Sequence, residues 1–422
     1  MTKTRQRDFG PGFRRSLNRR LDDHSGSIWT DQKGRLCTSM ALDKETFDLL
    51  ISTVRRFVKD RLVPLEAQVA ETGVIPPGII AGMRELGIFG LSIPQDYGGI
   101  GLTMEEEVQI VMELGRTSPA FRSIAGTNIG IGSQAIVMAG TAEQKSHYLP
   151  KLASGELIGS FALTEPEAGS DAMSIATTAR RDGDDYVING CKRYITNAPV
   201  AGLFTTMART GAGCSADAIS CFLVEADTPG ISLGKVDRKM GQVGTQTCDV
   251  IFNNVRVPAS ALLGGVEGEG FRTSMRVLDR GRLHISALCV GIAERLVAES
   301  VQYASQRRQF GKIIADFQLI QAMIADSQTE AFAAKCLVLE TARMKDRGEA
   351  TKREAACAKL FSTEMVGRVA DRAVQIHGGA GYMAESPVER FYRDVRLFRL
   401  YEGTSQIQQL IIARETIREL AS

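Results

Sequence analysis

Apolar residues recur at two different spacings along the 422-residue chain, and the spacing changes twice. From about residue 42 to 150 they lie three and four positions apart, which predicts helices. Asp43 and Thr103 stand where two of these helices would begin, because such side chains accept hydrogen bonds from free backbone N–H groups. From about residue 269 helical spacing returns in long runs, and an antiparallel helix bundle is predicted there.

Between about residues 156 and 265 the pattern is different. Short alternating runs rich in Gly, Thr and Val replace the helical spacing and predict strands. Residues 177–180 and 186–188 flank Asp182-Gly183, which predicts a hairpin. Residues 219–225 and 249–253 also predict strands. The predicted fold class is therefore α+β, with a β domain between two helical ones.

The first 40 residues have neither pattern. They carry seven arginines and little apolar periodicity, so we predict a disordered basic tail over residues 1–40, or upstream sequence before a natural start near Met40. The folded domains are predicted at 41–155, 156–268 and 269–422.

Composition narrows the possible functions. The net charge of +2 gives no broad basic field, so no nucleic-acid partner is expected. No apolar run approaches 18 residues, and we predict no membrane span. Eight cysteines without a C-x-x-C pair and only four histidines argue against a metal site. Scattered cysteines without a secretory signal indicate a reducing compartment, the cytoplasm of a bacterium or the mitochondrial matrix of a eukaryote.

A lone carboxylate near the C-terminus is the first candidate for chemistry. Glu402 and Gly403 precede Thr404-Ser405-Gln406, which predict the start of a helix running to Leu420. A carboxylate held before such an end is a candidate general base. The alternative is a solvated loop glutamate.

Two segments of the β region are candidates for holding a planar cofactor. The run from Phe161 to Asp171 contains Pro and Gly-Ser-Asp, so it predicts an exposed turn with free amides and hydroxyls. In the run 193–197, Tyr194 could stack on a ring while Thr196 hydrogen-bonds to it. An ordinary loop and a plain strand edge are the alternatives.

Three segments of the helical region add a basic cluster, a glycine cluster and an arginine site. Residues 307–312 read Arg-Arg-Gln-Phe-Gly-Lys and could bind a pyrophosphate, or form a solvated basic helix end. Residues 375–382 read Gln-Ile-His-Gly-Gly-Ala-Gly-Tyr, where glycines permit close backbone approach. Residues 278–282 read Leu-Asp-Arg-Gly-Arg.

Taken in order, these segments resemble the signatures of the acyl-CoA dehydrogenases over roughly residues 42–420. The resemblance implies that fold: an N-terminal helical domain, a middle β-barrel-like domain and a C-terminal four-helix bundle. It implies that Glu402 removes the α-proton of an acyl-CoA thioester. Some family members place this base at the position of Gly281, which cannot serve here. Tyr194 departs from the family's usual tryptophan, and His377 from its usual apolar residue.

Site residues follow from the same resemblance, position by position. The implied FAD contacts are Phe161, Leu163, Thr164, Gly169, Ser170, Tyr194, Ile195, Thr196, Arg307, Phe310, Gln318, Gln375, Gly378, Gly379, Thr404 and Gln406. The implied acyl-CoA contacts are Ser170, Asp279, Arg282, Gly403 and Arg122. In the family, the equivalent of Arg307 reaches FAD from a neighbouring subunit.

The expected activity is FAD-dependent dehydrogenation of an acyl-CoA to a trans-2-enoyl-CoA, with electrons passed to an electron-transfer flavoprotein. A homotetramer is expected from the family. An oxygen-using oxidase and a non-catalytic acyl-CoA-binding flavoprotein remain alternatives. Arg122-Ser123 resembles the pair that grips the free carboxylate in glutaryl-CoA dehydrogenases, so a dicarboxylyl-CoA substrate is a further possibility. Otherwise Arg122 points to solvent or pairs with a nearby acid.

Overall fold

The computed structural model describes residues 29–30, 36–37, 41–213 and 215–421 of the chain. Apart from one short antiparallel pair, β1 (Trp29–Thr30) with β2 (Leu36–Cys37), the predicted disordered tail lies outside the described residues.

Seven helices form the N-terminal domain, and their starts follow the predicted capping residues. The Asp43 side chain accepts a hydrogen bond from the Thr46 amide at 2.9 Å. Thr103 and Glu106 cap each other's backbone amides, which stabilises the helix start. The helices are α1 (Lys44–Phe57), α2 (Glu66–Thr72), α3 (Pro77–Glu85), α4 (Met104–Leu114), α5 (Pro119–Thr127), α6 (Gln134–Ala139) and α7 (Ala142–Ser154).

A seven-stranded sheet forms the middle domain. Its strands are β3 (Gly159–Ala162), β4 (Thr178–Asp182), β5 (Asp185–Thr196), β6 (Leu203–Arg209), β7 (Ile219–Glu225), β8 (Ile231–Leu233) and β9 (Thr247–Pro258). The strand order is β3-β6-β4-β5-β9-β8, with β7 paired to the other edge of β6. Gly183 has a φ of +66° in the tight turn between β4 and β5, so the predicted hairpin is present.

Long helices form the C-terminal domain. They are α8 (Gly270–Gln306), α9 (Gln318–Asp346), α10 (Lys352–His377), α11 (Pro387–Val395) and α12 (Ser405–Ala421). Helices α8, α9, α10 and α12 make the bundle, and a small hairpin of β10 (Arg308–Gln309) and β11 (Lys312–Ile313) links α8 to α9. The predicted architecture of helical domain, β domain and helix bundle is confirmed.

One hydrophobic core joins the first domain to the last. Val108 and Val111 of α4 pack with Leu283 and Leu288 of α8 and with the other bundle helices. Burial of these side chains fixes α4 against α8. The middle sheet borders the same region, and the three domains enclose a cavity there.

Candidate active site

A cavity of about 240 Å³ lies where the three domains meet. All eight predicted contacts from the β domain are on its wall, together with four predicted site residues from the helical domains. Those wall residues are Arg122, Phe161, Leu163, Thr164, Gly169, Ser170, Tyr194, Ile195, Thr196, Arg282, Glu402 and Gly403. Residues far apart in the sequence are therefore brought together around one space that can hold a ligand.

Other predicted contact residues lie elsewhere. Asp279 stands behind the wall and is ion-paired to Arg282. Thr404 caps α12, where its hydroxyl accepts a hydrogen bond from the Ile407 amide at 3.2 Å. Gln406 is exposed on the first turn of the same helix.

The remaining predicted FAD contacts form a second group at the opposite end of α8. Arg307 follows the last residue of α8, and Tyr303 stacks on His377 at the end of α10 with ring centroids 4.3 Å apart. At 1.5 Å per residue, Arg307 lies about 37 Å along the helix from Arg282. One chain therefore does not unite the two groups. The second group is Arg307, Phe310, Gln318, Gln375, Gly378 and Gly379.

The loop before α12 holds Glu402 in a rare backbone conformation. Glu402 has a φ of +52° and Gly403 a φ of +88°, and a side chain with positive φ persists only where surrounding contacts enforce it. Here the Lys359 ammonium donates to the Gly403 carbonyl at 2.7 Å, and the Gln408 amide donates to the Glu402 carbonyl at 3.2 Å. These two hydrogen bonds hold the loop in its strained conformation.

Space for the Glu402 carboxylate exists because residue 281 has no side chain. A Cβ placed on Gly281 would lie less than 3.0 Å from Glu402 Oε2. That oxygen is buried and has no hydrogen-bond partner among the described residues. A buried carboxylate oxygen without a partner is costly, and it is free to accept a proton from a ligand.

Burial raises the pKa of the Glu402 carboxyl above its usual value, while the nearby charges of Arg122, Lys359 and Arg282 oppose that rise. Burial also lowers the pKa of Lys359 to about 8. A carboxylate with a raised pKa is a stronger base than an exposed one, which suits removal of a weakly acidic proton.

Tyr194 is presented to the cavity by an irregularity in the sheet. The pairing of β5 with β9 shifts register between Lys192 and Ile195, and Tyr194 takes a φ of +58° within this bulge. Its side chain is 62% exposed and lines the cavity beside Thr196. An exposed aromatic ring next to a hydroxyl fits a planar cofactor ring.

The predicted turn after β3 is held by a buried ion pair. Glu165 accepts from the Lys192 ammonium at 2.7 Å and from the backbone amides of Ala176 and Thr177. Burial opposes ionisation of Glu165, but the Lys192 charge and these hydrogen bonds outweigh it and lower the pKa of the carboxyl. A Cβ on Gly169 would meet nothing within 4 Å, so the turn is open towards a ligand.

Arg122 lies at the other side of the cavity and is 6% exposed. The alternative that it points to solvent is therefore wrong. Its Nη2 lies 3.2 Å from His284 Nδ1, and His284 Nε2 lies 3.0 Å from Glu107 Oε1. Glu107 also pairs with Arg280. The guanidinium charge faces the cavity from within a buried polar network.

Several wall residues have no counterpart among the predicted contacts. The loop with Lys239, Gln242 and Thr245 lines the cavity, and its Gly-rich sequence was the only available signal. His284 and Lys359 lie behind the wall on apolar helices, where sequence alone favours ordinary packing.

Within the described residues, no group of three or more potential ligands is arranged to hold a metal ion. No described helix has the length and apolar character required to cross a bilayer.

Three family models match the chain in sequence order. They are described as the N-terminal, middle and C-terminal domains of acyl-CoA dehydrogenase, and they match residues 44–156, 160–255 and 268–417. Together they cover most of the chain.

Similarity to individual proteins supports the same family. The chain is 42% identical to the acryloyl-CoA reductase (NADH) of Anaerotignum propionicum, over 88% of this chain and 94% of that protein. It is 40% identical to a subunit of the caffeyl-CoA reductase-Etf complex of Acetobacterium woodii, over 82% and 91%. Among solved structures, a glutaryl-coenzyme A dehydrogenase in complex with glutaryl-CoA superposes with a TM-score of 0.85, at 35% identity over 90% of this chain and 96% of that one.

Proposed function

Because this chain belongs to the acyl-CoA dehydrogenase family, we propose that Glu402 is the base in FAD-dependent α,β-dehydrogenation of an acyl-CoA thioester. The family is one of FAD-containing oxidoreductases that act on CH–CH bonds. The observation that carries the assignment of Glu402 is its buried, unpartnered Oε2 on the wall of the cavity.

The residues on the wall fit both ligands. Tyr194 and Thr196 would hold the isoalloxazine ring, with the hydroxyls of Thr164 and Ser170 beside it. FAD, when bound, supplies the acceptor for the β-hydrogen, which leaves as hydride. Glu402 Oε2 takes the α-hydrogen as a proton, so the C–H bonds at both carbons are replaced by one C=C bond and the product is a trans-2-enoyl-CoA.

The protein contributes placement and electrostatics to this step. We assign to the Glu402 backbone N–H the role of hydrogen-bond donor to the thioester carbonyl, because polarising this carbonyl acidifies the α-hydrogen. Arg282, fixed by Asp279, contributes a positive charge at the cavity wall. Lys359 holds the Glu402–Gly403 loop, so the base is in place before the substrate arrives.

The test is Glu402→Gln, which keeps the shape of the side chain and removes its basicity. We expect the rate of flavin reduction by acyl-CoA to fall by at least about a hundredfold, the usual range for loss of a general base. FAD content and binding of the enoyl-CoA product should stay at wild-type levels. Near-normal reduction in this variant would contradict the assignment, and rapid oxygen-dependent peroxide formation by wild type would favour an oxidase.

We propose a homotetramer in which neighbouring subunits complete each FAD site. Arg307 of the second group of predicted FAD contacts lies about 37 Å along α8 from Arg282 on the cavity wall, and Phe310 of the same group is 91% exposed. An exposed phenylalanine beside Arg307 is suited to a surface that a second copy covers.

Subunit mixing tests this sharing. Arg307→Ala and Glu402→Gln chains are each expected to be nearly inactive alone. A mixed assembly would contain sites with Glu402 from one chain and Arg307 from the other, so activity should return. If mixed assemblies form but remain inactive, each site uses Arg307 and Glu402 of a single chain.

The electron partner proposed is an electron-transfer flavoprotein. One relative is named as a subunit of a caffeyl-CoA reductase-Etf complex, and two other relatives are also named as reductases. The same base and flavin site serve either direction, because the reverse reaction passes through the same transition state. Steady-state turnover with an electron-transfer flavoprotein, compared with an artificial acceptor, measures the coupling.

A second, finer proposal concerns the substrate: its acyl group carries a carboxylate at the end distant from the thioester. The supporting observation is Arg122, a buried guanidinium on the cavity wall. An unpaired buried charge is costly, and a bidentate carboxylate would compensate it. The test compares a dicarboxylyl-CoA with a straight-chain acyl-CoA of equal length, on wild type and Arg122→Ala. If wild type prefers the monoacid and Arg122→Ala leaves that preference unchanged, the proposal is wrong.

A further inference from the structure

Four buried or partly buried arginines on α5 and α8 differ in what they contact. Arg280 pairs with Glu107, Arg282 with Asp279, and Arg295 with Glu66 and Glu299. Among the described residues, Arg122 has no carboxylate within ion-pair distance. Its Nη2 contacts His284 Nδ1, and its Nε is buried without a hydrogen-bond partner.

The contact with His284 fixes the protonation of the imidazole. A guanidinium can only donate hydrogen bonds, so His284 Nδ1 must accept and carries no proton. The remaining proton is then on Nε2, which lies 3.0 Å from Glu107 Oε1, so the carboxylate stands beside the protonated nitrogen. His284 is therefore neutral in this arrangement, and it orients Arg122 without cancelling its charge.

The charges around His284 favour the same state. Burial lowers the pKa of His284, and the cations Arg122 and Arg280 lower it further, against the pull of Glu107. Burial opposes ionisation of Glu107 as well, but Arg280, His284 and Arg122 outweigh it and lower the pKa of that carboxyl. The carboxylate of Glu107 therefore pairs mainly with Arg280. It lies on the Nε2 side of the His284 ring, whereas Arg122 lies on the Nδ1 side.

Two glycines make room for the arrangement. A Cβ on Gly126, one helical turn after Arg122, would collide with the guanidinium, and a Cβ on Gly130 would lie 3.4 Å from His284 Nδ1. The guanidinium therefore lies against the helix surface instead of extending to solvent. It is held at one place on the cavity wall.

We propose that His284, backed by Glu107, is a positioning residue that holds Arg122 as an uncompensated cation and so makes the enzyme selective for acyl-CoA thioesters with a distal carboxylate. This inference rests on the proposed function. It adds that selectivity depends on a side chain that does not itself touch the substrate, because an arginine free to turn would leave its place on the cavity wall.

Two amide substitutions separate the two contacts of His284. The oxygen of His284→Asn can take the place of Nδ1 and accept from Arg122, whereas the amide of His284→Gln reaches the place of Nε2 and contacts Glu107. The measurement is kcat and KM for a dicarboxylyl-CoA and for a straight-chain acyl-CoA of equal length. FAD content and assembly size are checked for each variant, and His284→Leu replaces His284→Gln if that variant does not assemble.

We expect His284→Gln to lower the dicarboxylyl preference at least tenfold, mainly through KM, and His284→Asn to keep it within about threefold of wild type. Straight-chain kinetics should change little in either variant. Equal preference in all three proteins, or a uniform loss on both substrates, would overturn the role of His284 while leaving the proposed function intact. Wild type that reduces its flavin with neither thioester would overturn both.

Discussion

Two glutamates, Glu402 on the cavity wall and Glu165 next to the wall residue Thr164, have carboxyl groups with opposite properties. Each has a buried lysine nearby whose pKa is lowered to about 8 by burial, Lys192 for Glu165 and Lys359 for Glu402. Yet the carboxyl pKa is lowered for Glu165 and raised for Glu402.

The difference lies in which atom the lysine contacts. Lys192 donates to the Glu165 carboxylate itself, whereas Lys359 donates to the backbone carbonyl of Gly403. In the first case the charges satisfy each other and the pair holds a turn. In the second case the lysine fixes the backbone and leaves Oε2 without a partner. The same pair of residue types thus gives a structural ion pair when the lysine contacts the carboxylate. It leaves the carboxylate available as a base when the lysine contacts the backbone carbonyl of the next residue.

The largest expected effect on stability is that of Glu165→Gln. It leaves Lys192 buried without its counter-charge, so the free energy of unfolding should fall by about 3–5 kcal/mol. Thermal unfolding of the FAD-loaded protein measures the loss, and Glu167→Gln on the exposed part of the same turn is the control. Flavin reduction per bound FAD should stay within about threefold of wild type. A stable variant that cannot reduce its flavin would reverse the roles of the two glutamates.

Gly281→Ala tests the space that Glu402 needs. The added Cβ would overlap Oε2 and displace the carboxylate, and we expect flavin reduction to slow about 10- to 100-fold, since a displacement near 1 Å can cost this much. Gly78→Ala in α3 is the matched control, because its Cβ would meet nothing within 4 Å. Equal rates in the two variants would mean that Glu402 does not work from the position described.

The smallest expected effect concerns stability and pH. A raised folded-state pKa means that the native protein binds the Glu402 proton more tightly than the unfolded chain does. This contribution to stability is present below the unfolded value of 4.5 and is lost as pH rises through the folded pKa. Glu402→Gln should therefore be more stable than wild type at neutral pH, by about 1 kcal/mol, with the difference shrinking in acid. The loss of stability in Glu165→Gln should also shrink in acid. The folded-state pKa of Glu165 is lowered, so the stability that wild type gains from ionised Glu165 is present near neutral pH and is lost as pH falls.

Patterns that repeat along one element were predictable from the sequence. The spacing of apolar residues gave the long helices, and capping residues such as Asp43 and Thr103 gave helix starts. The strand at 219–225 was predicted at the bounds it has in the structure, because its ends coincide with the apolar run.

Features that depend on contacts between distant residues were not predictable. The bulge that exposes Tyr194 depends on how β5 and β9 are paired, and Arg-Tyr carries no sign of it. In the sequence, nothing distinguishes His284 from a histidine packed on a buried helix. Only the fold brings Arg122 and Glu107 beside it. Lys359 acquires its role only because Gly403, 44 residues later, brings a carbonyl to its ammonium. Pairwise geometry of this kind leaves no periodic trace in a single sequence.

Helix α8 has a consequence for how this protein tolerates change in length. Its 37 residues run without interruption from Gly270 to Gln306, so one helix carries both the Asp279–Arg282 region and the residue before Arg307. One inserted or deleted residue between them would turn the two ends by about 100° relative to each other and shift them by about 1.5 Å. A substitution on α8 can be local, but a change of length would misalign both ends at once. We therefore expect the protein to keep its fold and FAD site after an insertion in the loop around residues 347–351, and to lose them after an insertion within this helix.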